Sequence, residues 1–210
     1  ASASALYGTE AANGVIIINT KKGSQGKMKI TFTNSTTFET AAYGPQLQNT
    51  YGESTNFYSW GSKLSSPAAS VTDDFFKTAQ TYSNSLSIQG GTDANQTYLS
   101  YSNTYATSLL DNNGKLNRHN ITFRNTTKFA KNLSLDASFQ YIHQYMKNRP
   151  TLGGQYNNPL FGLYRFPVGQ DITPYREEFE VCDPERNLMS QNWIKALDAT
   201  SDQNPWWVMN

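Results

Sequence analysis

The sequence has one cysteine, Cys182, and two histidines among its 210 residues. A single cysteine excludes an intrachain disulfide. No apolar run approaches the roughly 18 residues that a membrane-spanning helix requires, so no such helix is predicted. The formal net charge is +1. Because this charge gives no overall positive field to attract nucleic acid, we expect no nucleic-acid partner.

Recognisable catalytic and cofactor motifs are also missing. The sequence contains no phosphate-binding P-loop, no dinucleotide fingerprint, no Cys-x-x-Cys pair and no zinc-ligand spacing. We therefore predict no enzyme activity, no catalytic residue, no metal site and no cofactor. An acidic cluster does occur, and its spacing matches no known calcium loop. Whether it binds an ion or forms a solvated surface stays open; it comprises Glu177, Glu178, Glu180, Asp183 and Glu185.

Aromatic residues are abundant in a chain that is otherwise polar. They make up 13% of the residues, with thirteen Tyr, whereas hydrophobic residues reach 37% and the mean hydropathy is −0.62. A disordered chain would be depleted in aromatics. The composition therefore indicates a sheet whose two faces differ strongly.

Five segments alternate apolar and polar residues with the period of two that is typical of β-strands. They span residues 27–39, 83–90, 96–106, 118–129 and 133–145. Their polar sides hold the charged residues, namely Lys27, Lys29, Glu39, Arg118, Arg124, Lys128 and Asp136. A Lys or Arg facing lipid at the midplane of a membrane barrel costs roughly 2–4 kcal/mol, so such a barrel would exclude charges from its apolar side. A soluble sandwich would exclude them from its core as well, and the charges alone do not separate the two folds.

The lengths of the gaps between strands favour the membrane barrel. Long gaps over residues 40–82 and 107–117, and an open stretch over 146–210, alternate with tight turns near residues 91–94 and 130–132. Outer-membrane barrels have short periplasmic turns and longer extracellular loops. The pattern predicts an all-β fold, a fragment of a transmembrane antiparallel β-barrel, with three long loops on the outer side. We call these the first, second and third outer loops.

The third outer loop carries many aromatic residues. Aromatic faces stack on sugar rings and anchor protein interfaces. The candidate contacts for a ligand or a protein partner are Tyr156, Tyr164, Trp193, Trp206 and Trp207. The alternative, that these side chains pack the loop onto itself, stays open.

The opening stretch carries a family resemblance. Leu6-Tyr7-Gly8, Ala11-Ala12-Asn13-Gly14-Val15-Ile16 and Thr20-Lys21-Lys22-Gly23 are similar to the end of the plug domain in TonB-dependent outer-membrane transporters. The Ala-Ala-Asn-Gly form resembles the SusC/RagA branch found in Bacteroidetes. Further similar segments are Asn113 to Asn120, Gly153 to Leu160 and Gln203 to Trp207. The resemblance covers nearly the whole chain.

This resemblance implies a plugged barrel of about 22 strands in the bacterial outer membrane. It implies import of large nutrients, glycan or peptide oligomers, with a SusD-like surface lipoprotein as a lid and the TonB complex as the energy source. We expect a fragment of such a protein: residues 1–23 as the end of the plug, 24–26 as a linker, and 27–210 as about five strands with three outer loops. Tyr7, Gly8, Asn13 and Gly14 would pack the plug, and residues 15–18 would form a short buried strand.

Three alternatives remain. A siderophore-type receptor would keep the barrel without a SusD-like lid, although the Ala-Ala-Asn-Gly form and the long third outer loop argue against it. A soluble, aromatic-rich carbohydrate-binding β-sandwich would fold residues 27–146 without lipid. A passive porin would lack the plug. Neither the cargo nor the oligomeric state follows from the sequence.

Overall fold

The computed structural model describes residues 16, 20–54, 59–73, 75–111, 114–149, 153, 158–194 and 203–210. The chain divides into two compact units. The first unit consists of Ala1–Phe32, Leu86–Tyr101 and Ile121–Tyr141, and the second consists of Thr33–Ser85, Ser102–Asn120 and Ile142–Asn210.

Five long strands form one sheet in which each strand pairs with its neighbours in sequence. They are β1 (Gly26–Glu39), β2 (Ala79–Gly91), β3 (Asn95–Thr107), β4 (Lys115–Ala130) and β5 (Leu133–Lys147). Each strand begins at or before the predicted start and ends at or after the predicted end, so the five predicted strands are confirmed. Tight turns after β2 and β4 join antiparallel neighbours, as two-stranded hairpins require.

Side-chain contacts show that the apolar sides of all five strands lie on one face of the sheet. Asn34 of β1 bonds Asn84 of β2, and Asn103 of β3 bonds Asn117 of β4. The rings of His119 on β4 and His143 on β5 lie beside each other on the same side. On the opposite side, the hydroxyls of Ser83 on β2 and Thr104 on β3 are hydrogen-bonded. One side of the sheet carries the even residues of β1 and β2 and the odd residues of β3, β4 and β5. We call this side the apolar face, and we call the other side the polar face.

The large side chains of the apolar face are exposed. The exposed fraction is 67% for Phe32, 60% for Leu133 and 59% for Phe139. A soluble domain exposes few contiguous apolar patches of this kind, so the face indicates contact with lipid or with another protein surface. Among the described residues, no helix is long and apolar enough to cross a membrane.

In the described part of the third outer loop, the chain forms three short helices and a small hairpin. They are α1 (Pro159–Tyr164), α2 (Thr173–Glu177), β6 (Glu180–Asp183) paired antiparallel with β7 (Leu188–Gln191), and α3 (Pro205–Met209). Helix α1 begins where Asn158 accepts a hydrogen bond from the amide of Leu160, with Pro159 in the first turn. This arrangement satisfies an otherwise free amide and uses a proline where its missing N–H costs nothing.

A small hydrophobic core in the second unit collects residues from all three outer loops. Phe75 comes from the first loop and Leu110 from the second, while Leu163 of α1 and Trp206 and Met209 of α3 come from the third. We call these five residues the loop core. Its partly buried neighbours are Val71, Phe76, Leu160, Tyr164, Ile172 and Phe179. The outer loops therefore fold together rather than separately.

The predicted plug-packing residues Tyr7, Gly8, Asn13 and Gly14 lie outside the described residues. Within the predicted buried strand at residues 15–18, only Ile16 is described, and its side chain is exposed. The expected burial is wrong at this position, because none of the described residues covers the side chain.

Candidate functional site

An ion pair on the polar face of the first unit holds the segment that precedes β1. Arg124 of β4 donates from Nε to Oδ1 of Asp136 on β5 (2.8 Å) and from Nη2 to Oδ2 (2.6 Å). Its third nitrogen, Nη1, donates to Oγ1 of Thr20 (2.6 Å). The Lys22 ammonium lies 3.5 Å from Oδ2 of Asp136. We call these four residues the linker anchor, because two strand residues attach residues 20–22 to the sheet.

Gly23 completes this attachment by close backbone approach to β3. A Cβ atom at position 23 would lie 2.5 Å from the backbone nitrogen of Thr97 and 2.7 Å from the carbonyl carbon of Gln96. Contacts under about 3 Å are not found for real side chains, so only glycine fits. The segment that joins the predicted plug to β1 therefore packs closely against the polar face.

Asn204 organises the third outer loop. It is fully buried, and its Nδ2 donates to the carbonyls of Tyr175 and Asn192 (both 2.7 Å). Its Oδ1 accepts from the amides of Trp206 (2.8 Å) and Trp207 (3.3 Å), which caps α3. One side chain thus ties α2, the segment after β7, and α3 together. Sequence reasoning missed Asn204, although an Asn before a Pro is a recognisable helix start.

An aromatic trio lies beside these helices. The rings of Phe166, Tyr175 and Trp193 pack on one another with centroid separations of 5.4–5.9 Å. Two of the three contacts are edge-on, the geometry that aromatic quadrupoles favour. The trio is part of the packing of the third outer loop.

Charged side chains connect the second and third outer loops. Arg176 of α2 lies 3.1 Å from the carboxylate of Asp111, and Lys77 lies 3.9 Å from the same carboxylate. Together with the loop core, these pairs fix the third loop against the other two.

A cavity of about 320 Å³ opens among the outer loops of the second unit. Its walls come from residues 40–44, Asp73, Phe76, Lys77 and Tyr164, with further hydroxyls from Thr72 and Thr78. Burial raises the pKa of the Tyr164 phenol. Aromatic rings, several hydroxyls and one charge of each sign suit a polar oligomer more than a highly charged ligand.

The five predicted contact residues of the third outer loop occupy different environments. Tyr164 lines the cavity. Trp193 belongs to the aromatic trio, and Trp206 is buried in the loop core with 4% exposure. Trp207 is half-buried on α3. Tyr156 lies outside the described residues. Of the four that are described, Tyr164 is the one that reaches the cavity.

The acidic cluster runs from the last residue of α2 to the turn of the β6–β7 hairpin. Oδ1 of Asp183 accepts from the amides of Glu185 (3.0 Å) and Arg186 (3.2 Å), which shapes the turn between the two strands. Within the part of the chain that the structure describes, no three His, Cys, Asp or Glu residues are placed to hold a metal ion.

The sequence and the fold of the chain are similar to those of known proteins. No family model matches the chain. The chain is 32% identical over 223 residues to the TonB-dependent receptor SusC of Bacteroides thetaiotaomicron, a match that covers 99% of this chain and 20% of that protein. It also superposes on a chain of the RagAB peptide importer in the closed-closed state. The TM-score is 0.64 at 17% identity, over 96% of this chain and 26% of that chain.

The open antiparallel sheet with long outer loops is an all-β fragment of the TonB-dependent receptor fold. The sequence likeness to SusC and the fold likeness to the RagAB importer chain agree with the SusC/RagA-like resemblance of the sequence. The chain spans about a fifth of the length of the curated relative that it matches.

Proposed function

We propose that the chain is part of an importer in the bacterial outer membrane that moves large nutrients, glycan or peptide oligomers, by TonB-dependent transport. The observation that carries the proposal is the two-faced sheet. One face exposes apolar side chains such as Phe32 and Leu133, and the other carries Arg124 and Asp136. Transmembrane barrels turn an apolar band to lipid and a polar side to the lumen.

We also propose a plug inside that lumen, and the contacts of the linker anchor are the observation behind it. We propose residues 1–23 as the end of the plug and 24–26 as the linker, with residues 27–210 in the barrel and its outer loops. Thr20 and Lys22 contact charged residues of the polar face, and Gly23 packs on β3. A plug segment would be held in this way against the inner wall of a barrel.

The cavity beside Tyr164 is our candidate for cargo contact. Tyr43 and Phe76 offer aromatic surface, and hydroxyls line the same walls. Aromatic faces bind sugar rings and also anchor peptides, so this chemistry suits both cargo classes. We propose that a SusD-like lipoprotein covers the outer loops and that the TonB complex acts on a segment outside this chain.

Two rival functions make different predictions. A siderophore-type receptor would share the barrel and would transport a small iron chelate. A soluble carbohydrate-binding sandwich would bury the apolar face against a second sheet. The family likeness favours the barrel over the sandwich.

Fractionation and uptake test this proposal. The protein should occur in the outer-membrane fraction and migrate differently on a denaturing gel before and after boiling, as closed barrels do. Uptake of fluorescein-labelled oligosaccharides or oligopeptides should stop when a protonophore collapses the proton-motive force. Iron-chelate uptake with no oligomer uptake would favour the siderophore rival, and a soluble species with no heat shift would refute the barrel.

Substitution at the cavity tests the cargo site. Tyr43 lines the cavity and is 98% exposed, so Tyr43→Ala removes aromatic surface without a packing cost. Leu47→Ala alters an exposed residue of the same loop outside the cavity and is the matched control. We expect Tyr43→Ala to weaken cargo binding about tenfold, the value of one stacked aromatic ring, and Leu47→Ala to leave it unchanged. Equal effects would exclude the cavity as the contact.

A further inference from the structure

The apolar face changes character within the second unit. Here its side chains are mostly polar and hydrogen-bonded across strands. Nδ2 of Asn34 donates to Oδ1 of Asn84 (2.6 Å), and Nδ2 of Asn103 donates to Oδ1 of Asn117 (2.8 Å). Nδ2 of Asn103 also lies 3.4 Å from Nδ1 of His119.

Positive charge accompanies these polar groups. Lys115 begins β4 and Lys147 ends β5 at the same end of two neighbouring strands, and both are exposed. They stand on the same face as His119 and His143, whose ring centroids are 6.5 Å apart. The five described strands place no carboxylate on this face, since Glu39 and Asp136 both lie on the polar face. We call Lys115, His119, His143 and Lys147, with Asn103 and Asn117, the basic patch.

Tyrosines flank the basic patch on the same face. Tyr105 of β3 and Tyr145 of β5 occupy the neighbouring odd positions. Tyrosine is enriched where a membrane barrel meets the headgroup region, because its ring is apolar and its hydroxyl is polar. The patch therefore has the composition of a headgroup-level surface, with an added excess of cations.

We propose that the basic patch binds the phosphorylated headgroup of an outer-leaflet lipid. The inference rests on the proposed function, because it requires the apolar face to contact the membrane. A phosphate offers three acceptor oxygens and up to two negative charges. The two ammonium groups of Lys115 and Lys147 supply charged donors for such a group, and the polar side chains of the patch lie beside them.

Charge complementarity favours a phosphate over a neutral occupant. Like charges on neighbouring strands repel and destabilise a sheet, and no carboxylate on this face of the described strands offsets Lys115 and Lys147. An anion between the two lysines removes this repulsion and gains two attractions. A neutral glycan would use the hydroxyl-bonding groups and leave the lysines without a counter-charge.

Lipid retention by the full transporter tests the proposal. The purified protein in detergent is titrated with dioleoyl phosphatidic acid, and separately with dioleoylglycerol, and bound lipid is counted by native mass spectrometry. The test variant is Lys115→Gln/Lys147→Gln. The control is Lys27→Gln/Lys29→Gln, which makes the same change in net charge on the polar face of β1. A heat-shifted gel band confirms that each variant is folded.

We expect the wild type to retain phosphatidic acid and to release dioleoylglycerol. The patch variant should bind phosphatidic acid about thirtyfold more weakly, the value that two lysines contribute near an anionic surface. The control should stay within about twofold of the wild type.

Equal retention by the patch variant, or equal retention of the two lipids, would overturn the proposal. Displacement of phosphatidic acid by millimolar inorganic phosphate would identify a free-phosphate site and would also overturn it. Failure of the proposed function is a separate result, because it would appear as loss of the heat shift in the wild type.

Discussion

Replacing Asn204 by alanine should loosen the whole third outer loop. The residue is fully buried, and its side chain serves four backbone groups: the carbonyls of Tyr175 and Asn192 and the amides of Trp206 and Trp207. Alanine offers no partner to any of them. Since the site is closed to solvent, these groups would be left unsatisfied or would have to open to water.

The magnitude follows from these bonds. Loss of an Asn cap costs about 1 kcal/mol, and each buried carbonyl left without a donor costs about 1–3 kcal/mol. The local free energy of opening should therefore fall by about 3–7 kcal/mol. The amides of α3 should then exchange with solvent at least about a hundredfold faster.

Hydrogen exchange of the full-length protein in detergent, followed by mass spectrometry, measures this change. The peptide that contains residues 203–210 should lose its protection, while peptides from β4 and β5 should not change. Gln191→Ala is the matched control. It removes the bond from the Asn204 amide to the Gln191 side chain (2.8 Å) and should cost about 1 kcal/mol.

A second variant separates the two halves of the Asn204 side chain. Asn204→Asp keeps the oxygens that accept from Trp206 and Trp207 and loses the donors to Tyr175 and Asn192. It places a carboxylate against two carbonyls at neutral pH, so exchange should be as fast as in the alanine variant. Unchanged protection in Asn204→Ala would refute the conclusion that this side chain holds the loop.

Three further predictions concern other parts of the chain. Leu163→Ala removes a fully buried side chain from the loop core and should cost about 2–5 kcal/mol in the same exchange measurement. Gly23→Ala places a Cβ 2.5 Å from the nitrogen of Thr97 and should displace the linker, which would appear as increased mobility of a spin label at Ser24. The bond from Thr173 holds the pKa of Asp171 below its ordinary value. The resulting stabilisation of α2 should be present at neutral pH and lost as the pH falls through that lowered pKa. The Asp171→Asn variant should abolish this pH dependence, as measured by amide hydrogen exchange of α2 after correction for the intrinsic exchange rates.

The strands could be predicted because alternation is a direct consequence of a sheet with unlike faces. Residues 133–145 alternate almost without interruption, and β5 occupies Leu133–Lys147. The strand starts were less accurate. Strand β2 begins at Ala79 rather than near Ser83, because Gln80 and Tyr82 continue the pairing with polar or amphipathic side chains that carry no hydrophobic signal.

The short elements of the third outer loop escaped prediction for a different reason. Helices of five or six residues contain too few turns to show a hydrophobic period. Their only local signal is the pairing of Asn158 with Pro159 and of Asn204 with Pro205, in which a capping Asn precedes a first-turn Pro. The β6–β7 hairpin was likewise hidden, because its charged residues suggested an acidic cluster rather than strands.

The candidate site could be predicted only in part. Aromatic content singled out the third outer loop, and Tyr164 does line the cavity. The other walls come from residues 40–44, 72–73 and 76–78. These are distant in sequence and meet Tyr164 only because the loop core folds the three loops together. Sequence patterns encode local structure and do not encode such contacts between residues that are distant in sequence.

The most direct test of the account asks whether the apolar face contacts lipid. Cys182 is exposed and is replaced by Ser. Single cysteines are then introduced at Leu135 on the apolar face and at Ser134 on the polar face, and each is labelled with bimane in the full-length protein. In bilayers that contain brominated lipid, we predict strong quenching at position 135 and little at 134. Equal quenching at the two positions, or none at either, would contradict the assignment of this sheet to the wall of a membrane barrel.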